Sequence, residues 1–264
     1  MSYKIKIITL NKESKNSKEL LNSIEKQGLT AELYDAIDGR NTIPKLLKNE
    51  SIDQHRSEKY RLSILNSPEI GAYLSHYRCI QSAYEQNIKK ICILEDDVNI
   101  DTDFGSTLNQ LLDLPEKYEF IRLMELKRCK RKIVKNINEK HLLTRPEKGT
   151  LGAQGYLLNR AGMKKIIDNA MPIWKPIDKF YDHYWEIDLQ SFSIEPHLIW
   201  ETLSESSIKK PNFRPHIDFY TSALWTLQKL KRSIKRKIYI LKRRVEFYPK
   251  SKSSIKMGKT IRKG

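Results

Sequence analysis

Ile91-Cys92-Ile93-Leu94 is a short apolar run that passes without a break into three adjacent carboxylates, Glu95-Asp96-Asp97. The run reads as a buried strand. Three acids at its end repel one another and lose hydration, so the arrangement persists best where a cation offsets it. Oxygen ligands suit magnesium, manganese or calcium better than zinc. An open α/β sheet places its ligand crevice at the carboxyl ends of its strands, where a metal-bound phosphate would meet the triplet. An acidic turn closing a strand accounts for the same three letters, and that reading stands beside the first.

The flanking sequence alternates between strand and helix patterns. Residues 5–10 read as a β-branched first strand. Leu20, Leu21 and Ile24 mark one face of a helix that Gly28 can end. Residues 33–37 read as a second strand, closed by Asp38-Gly39. Residues 40–66 are polar, a surface excursion with some helix. Ser67 ahead of Pro68 and Glu69 reads as a helix cap, and Ile70, Leu74, Tyr77 and Tyr84 follow at helical spacing. Further helices are expected before Pro115, over 160–170 and over 178–185, with strands at 120–126, 152–158 and 192–195. Residues 127–140 read as a loop or hairpin. Such alternation predicts an α/β fold with a mainly parallel sheet flanked by helices. The sequence contains no phosphate-binding P-loop and no dinucleotide glycine fingerprint.

At 264 residues the chain can form one substantial domain, with or without an appendage. No stretch reaches the roughly 20 apolar residues that span a bilayer, and the first residues lead into a strand, so a cytoplasmic location is expected. Cys79, Cys92 and Cys129 form no pair motif, and the first two read as buried thiols. The net charge of +17 is concentrated: residues 226–264 hold fifteen Lys/Arg and the single acid Glu246. The remaining body is nearly balanced, which argues against nucleic acid as the partner.

Several segments, in order, resemble glycosyltransferase family 25. They are Asp35-Ala36-Ile37-Asp38-Gly39, Glu69-Ile70-Gly71-Ala72-Tyr73-Leu74-Ser75-His76, Ile93-Leu94-Glu95-Asp96-Asp97-Val98, Gly152-Ala153-Gln154-Gly155-Tyr156-Leu157 and Pro176-Ile177-Asp178. The resemblance covers residues 3 to about 208 and implies a GT-A-like fold, a UDP-sugar donor, commonly UDP-galactose, and inversion at the anomeric carbon. Where the family usually shows an arginine-bearing segment after the first strand, this chain has Asn11-Lys12-Glu13-Ser14-Lys15.

Chemical roles follow from the resemblance and the residue types together. A UDP leaving group gathers negative charge that a cation stabilises, so Mn2+ or Mg2+ is expected, with Asp97, Asp96 and His197 as candidate ligands. Glu95, Asp96, Asp38 and Gly39 are candidate nucleotide contacts. Gln154, Gly155 and Tyr156 could line a sugar pocket, although Tyr156 could equally be core. Inverting transfer needs a general base, and Asp178 and Asp182 share one helix face, with Asp178 on the Pro-x-Asp segment. A helix-capping role would also suit Asp178. Ser75 and His76 could stand beside donor or acceptor, or be buried in the core.

The domain assignment is a transferase unit over 1–225 and a basic tail over 226–264. In the tail, Leu227, Leu230, Ile234, Ile238 and Leu241 follow Trp225 as an apolar stripe between basic residues, the pattern of an interfacial helix drawn to anionic lipid. The combined expectation is a peripheral enzyme at the inner face of the inner membrane that extends a lipooligosaccharide or related glycan. A nucleic-acid-binding protein and a metal-dependent phosphohydrolase are the rival readings.

Overall fold

The computed structural model describes residues 3–127, 129–202 and 219–252. One end of its eight-stranded sheet is the parallel trio β2 (Glu32–Asp35), β1 (Tyr3–Thr9) and β3 (Lys90–Glu95), with β1 in the middle. The sheet continues from β3 through β8 (Gly155–Asn159), β5 (Phe120–Arg122), β9 (Ser191–Glu195), β7 (Leu142–Pro146) and β6 (Arg131–Asn136). Six of these eight strands point the same way, and only β8 and β7 run against them. The expected α/β class and the common strand direction are both present. A separate ribbon pairs β4 (Val98–Ile100) with β10 (Ile199–Glu201).

Side-chain alternation along β3 explains why it is central. Ile91 and Ile93 pack into one core layer with Ile70 and Leu74 of α3 (Ser67–Glu85) and Met163 and Ile166 of α5 (Arg160–Asn169). Cys92 and Leu94 enter the opposite layer with Leu20 and Ile24 of α1 (Lys15–Glu25) and Phe104 and Leu108 of α4 (Phe104–Leu112). A strand buried on both faces has no room for polar alternation, hence the continuous apolar run.

The helix starts follow local chemistry. Ser14 caps α1 by accepting from the Ser17 amide. Asn66, not the expected Ser67, caps α3: its side chain accepts from the Glu69 amide while the Glu69 carboxylate accepts from the Asn66 amide. Ser67 is instead the first helical residue. The excursion over 40–66 contains α2 (Gln54–Arg61). The expected strand over 120–126 stops at Arg122, and the basic stretch after it forms the β6–β7 hairpin. Residues 178–185 divide between α6 (Ile177–Asp182) and a 3-10 turn, Tyr184–Glu186.

Near the carboxyl terminus, α7 (Phe219–Lys242) and α8 (Arg244–Phe247) lie against the body, and Ile240 and Phe247 are buried in its core. The domain boundary drawn at residue 226 falls inside α7, and residues 253–264 of the tail lie outside the described residues. Ser251 bridges to Arg131 and so covers part of the β6 edge.

Candidate active site

The carboxyl ends of β1, β2 and β3 open onto one cleft of about 700 Å³. Its floor is Glu95, Asp96 and Asp97, and its walls include Asn11, Gly39, His76, Gln154, Asp178 and Glu201. Parallel strands ending together leave this crevice at the sheet margin.

The three floor acids differ in surroundings. Glu95 meets His76 Nε2 through Oε1 at 3.1 Å, and its amide donates to the Gln154 carbonyl at 2.8 Å. Asp96 Oδ2 accepts from Thr9 Oγ1 at 2.5 Å and from Ser17 Oγ at 3.2 Å. Asp97 has a buried Oδ1 with no hydrogen-bond partner. Its carbonyl accepts from the Thr202 amide at 2.6 Å and the Thr202 hydroxyl at 2.9 Å, which ties the floor to the end of β10. Burial, then the charges of Glu95, Asp96 and Glu201, push the Asp97 carboxyl up to about 7.

Glu201 is a fourth acid, and no motif marks it in the sequence. It sits opposite Val98 in the β4–β10 ribbon and accepts from Gln154 Nε2 at 2.6 Å. Among the described lining residues, six carboxylates (Glu69, Glu95, Asp96, Asp97, Asp178, Glu201) face one guanidinium, Arg40. Arg40 itself is turned onto Asp38 in a two-pronged pair. No three His, Cys, Asp or Glu side chains among the described residues gather into a closed metal cage. The partnerless Asp97 oxygen and the crowded charge nonetheless suit a hard cation that takes only one or two protein ligands.

Asp178 lies in the first turn of α6 and lines the cleft, where burial raises its carboxyl. Its Oδ1 accepts from the Lys179 amide at 2.7 Å, so the other oxygen remains for a ligand. Asp182 lies one turn along α6 from Asp178, as its spacing predicts, but does not line the cleft. It is buried against Arg122 at 2.9 Å and accepts from the Leu151 amide at 3.0 Å, so an ion pair from β5 takes up its charge.

Other candidates are also displaced. His197 is 3% exposed, and its Nε2 accepts from the Glu125 amide at 3.2 Å; burial lowers it to about 4. It does not line the cleft and is not a metal ligand there. Tyr156 is core: its hydroxyl lies 2.8 Å from His76 Nδ1 and 2.9 Å from the Tyr181 hydroxyl. Gly155 is a packing glycine, since a Cβ there would stand 2.3 Å from Ile199 Cδ1. Asp38 is exposed and held by Arg40, outside the cleft, whereas Gly39 lines it. Ser75 lines the cleft but donates to the Gly71 carbonyl and accepts from the Ile37 amide, which holds the end of β2 against α3. His76 reaches the cleft through Glu95.

An α/β sheet with an acid-lined crevice at its strand ends defines a protein built to hold a polar ligand at that margin. The chain belongs to glycosyltransferase family 25: residues 2–181 match the family described as "Glycosyltransferase family 25 (LPS biosynthesis protein)". The α/β class with a mainly parallel sheet, expected from the sequence, agrees with this architecture. Human procollagen galactosyltransferase 2 is 27% identical over 224 residues, 74% of this chain and 34% of that protein. A rat protein called probable inactive glycosyltransferase 25 family member 3 is 26% identical over 214 residues, 73% of this chain and 37% of that protein. The chain therefore spans only about a third of the length of these curated relatives. A solved glycosyltransferase involved in glycosylation of the major capsid of PBCV-1 superposes over 87% of this chain and 100% of that chain, with 10% identity and a TM-score of 0.42. That likeness is too distant for residue-by-residue correspondence.

Proposed function

We propose that this protein is an inverting glycosyltransferase that moves a sugar, galactose being the first candidate, from a UDP-sugar to a hydroxyl of a lipooligosaccharide or related surface glycan. The observation that carries the reading is the placement of Asp178 on the same cleft as the acid floor. The acceptor oxygen attacks the anomeric carbon as its proton passes to the Asp178 carboxylate, and the bond to the diphosphate breaks with its electron pair leaving on UDP. A raised carboxyl at Asp178 suits a base that must hold that proton.

Glu69 is paired with Arg61 at 3.0 Å, but the floor acids and Glu201 have no such cation and repel a diphosphate, so donor binding requires a counter-charge. Mn2+ or Mg2+ held by Asp97, with Asp96 beside it, would supply that charge and stabilise the leaving group. Glu95, held by His76, and Gln154, held by Glu201, would shape the donor pocket from either side.

The test is calorimetry of a UDP-sugar panel with and without Mn2+, on wild type, Asp97→Asn and Asp178→Asn, followed by transfer assays with oligosaccharide acceptors. Mn2+-dependent binding of one donor, lost in Asp97→Asn but kept in Asp178→Asn, together with turnover lost in both, is the expected pattern. Absence of donor binding by folded wild type with Mn2+ present would sink the reading. Donor binding without transfer or UDP release would mark a binding-only protein, the alternative suggested by relatives whose names carry the word inactive.

A further inference from the structure

One face of α7 stays outside the packed body. Leu227, Leu230, Ile234, Ile238 and Leu241 are between 46% and 69% exposed, and Val245 of α8 extends the row at 83%. Their spacing of three and four residues puts the five α7 residues on one helical stripe, and Val245 follows just past the turn at Arg243. The opposite face is docked. Ile240 is buried, Arg232 donates to the Tyr60 carbonyl, Arg236 lies over Trp185, and Arg243 pairs with Asp188. Helix orientation is thus fixed by the body, and the exposed stripe is a surface rather than an average over rotations.

The charges beside the stripe identify its occupant. At about 100° per residue, Lys231, Lys235 and Lys242 run along one edge of the stripe and Lys237 along the other. All four are exposed, and among the described residues none has a carboxylate within ion-pair distance. The helix has seven Lys/Arg and no acid. Among the described residues no helix is long and apolar enough to cross a membrane. An apolar stripe edged on both sides by lysines matches an anionic bilayer surface, with acyl chains for the stripe and lipid phosphates for the ammonium groups. A second copy of this chain would bring the same lysines against one another.

We propose that α7 and α8 dock this protein on an anionic lipid surface through the 227–245 stripe. The docking does not depend on the glycosyltransferase reading.

The test is sedimentation of the full chain with vesicles of phosphatidylcholine alone or mixed with phosphatidylglycerol. Strong binding to mixed vesicles and weak binding to neutral ones is expected. Ile234→Asp/Ile238→Asp should abolish it, and Lys→Gln at 231, 235, 237 and 242 should weaken it about fivefold per lysine. Both variants change only exposed positions, and unaltered circular dichroism and melting temperature confirm that they fold. Lack of binding to mixed vesicles overturns the proposal, as does binding that Ile234→Asp/Ile238→Asp leaves unchanged. Ultracentrifugation without lipid covers the remaining occupant: a dimer that the aspartates dissociate would assign the stripe to a second copy instead.

Discussion

Replacing Asp97 with Asn tests how much a buried carboxyl beside three other acids costs at the cleft floor. Asp97 rises from an ordinary 3.8 to about 7, chiefly through burial. Below about pH 4 the carboxyl is protonated in folded and unfolded chains alike and costs nothing. Between about 4 and 7 the folded state keeps the proton that the unfolded state has released, so stability falls as pH rises, and the loss is complete above 7. Three pH units correspond to roughly 4 kcal/mol, a ceiling because the neighbouring acids can relax. About 2.5 kcal/mol of this falls between about pH 5 and pH 8. In a chain of this size each kcal/mol moves the melting temperature by roughly 2 °C. The assay is thermal unfolding in chelator. The advantage of Asp97→Asn over wild type should be about 5 °C larger at about pH 8 than at about pH 5. The Asn side chain sacrifices no hydrogen bond at Oδ1, which has none to lose. An advantage that is equal at the two pH values, or smaller at the higher one, would refute the reasoning.

Two further predictions concern packing and buried charge. Gly155→Ala drives a methyl to 2.3 Å from Ile199 Cδ1 and 2.8 Å from Leu94 Cδ2, and should cost about 1–3 kcal/mol; an unchanged melting temperature would contradict the tight β8–β10 approach. Arg131→Ala strips the cation at 2.9 Å from Glu125, which is fully buried, and should cost about 3–5 kcal/mol in urea unfolding. A loss below about 1 kcal/mol would mean that Glu125 is already neutral.

Legibility in the sequence followed the range of the interactions. β3 could be read because burial on both faces writes a continuous apolar run, and the acid floor because it adjoins that run. Asp178 could be placed from a short motif at a helix start. Asp182 could not, because its role is decided by Arg122, sixty residues earlier on a strand that lands beside it only after folding. The same holds for His197, whose acceptor nitrogen is taken by the Glu125 amide, and for Tyr156, whose hydroxyl is shared between two helices. β4 and β10 have three residues each, too short for any periodicity, so Glu201 gave no signal. The stripe on α7 was readable because helical spacing alone fixes it; which face docks was not.

The β4–β10 ribbon bears on how modular this protein is. The family match ends at residue 181, yet Glu201 and Thr202 form one wall of the cleft and Thr202 clasps the Asp97 carbonyl. β9, which lies between β5 and β7, also comes after that point. A fragment cut at the end of the recognisable segment would open the sheet in its interior and leave the acid floor with one side missing. The smallest piece that can hold a ligand here is therefore longer than the piece that identifies the family.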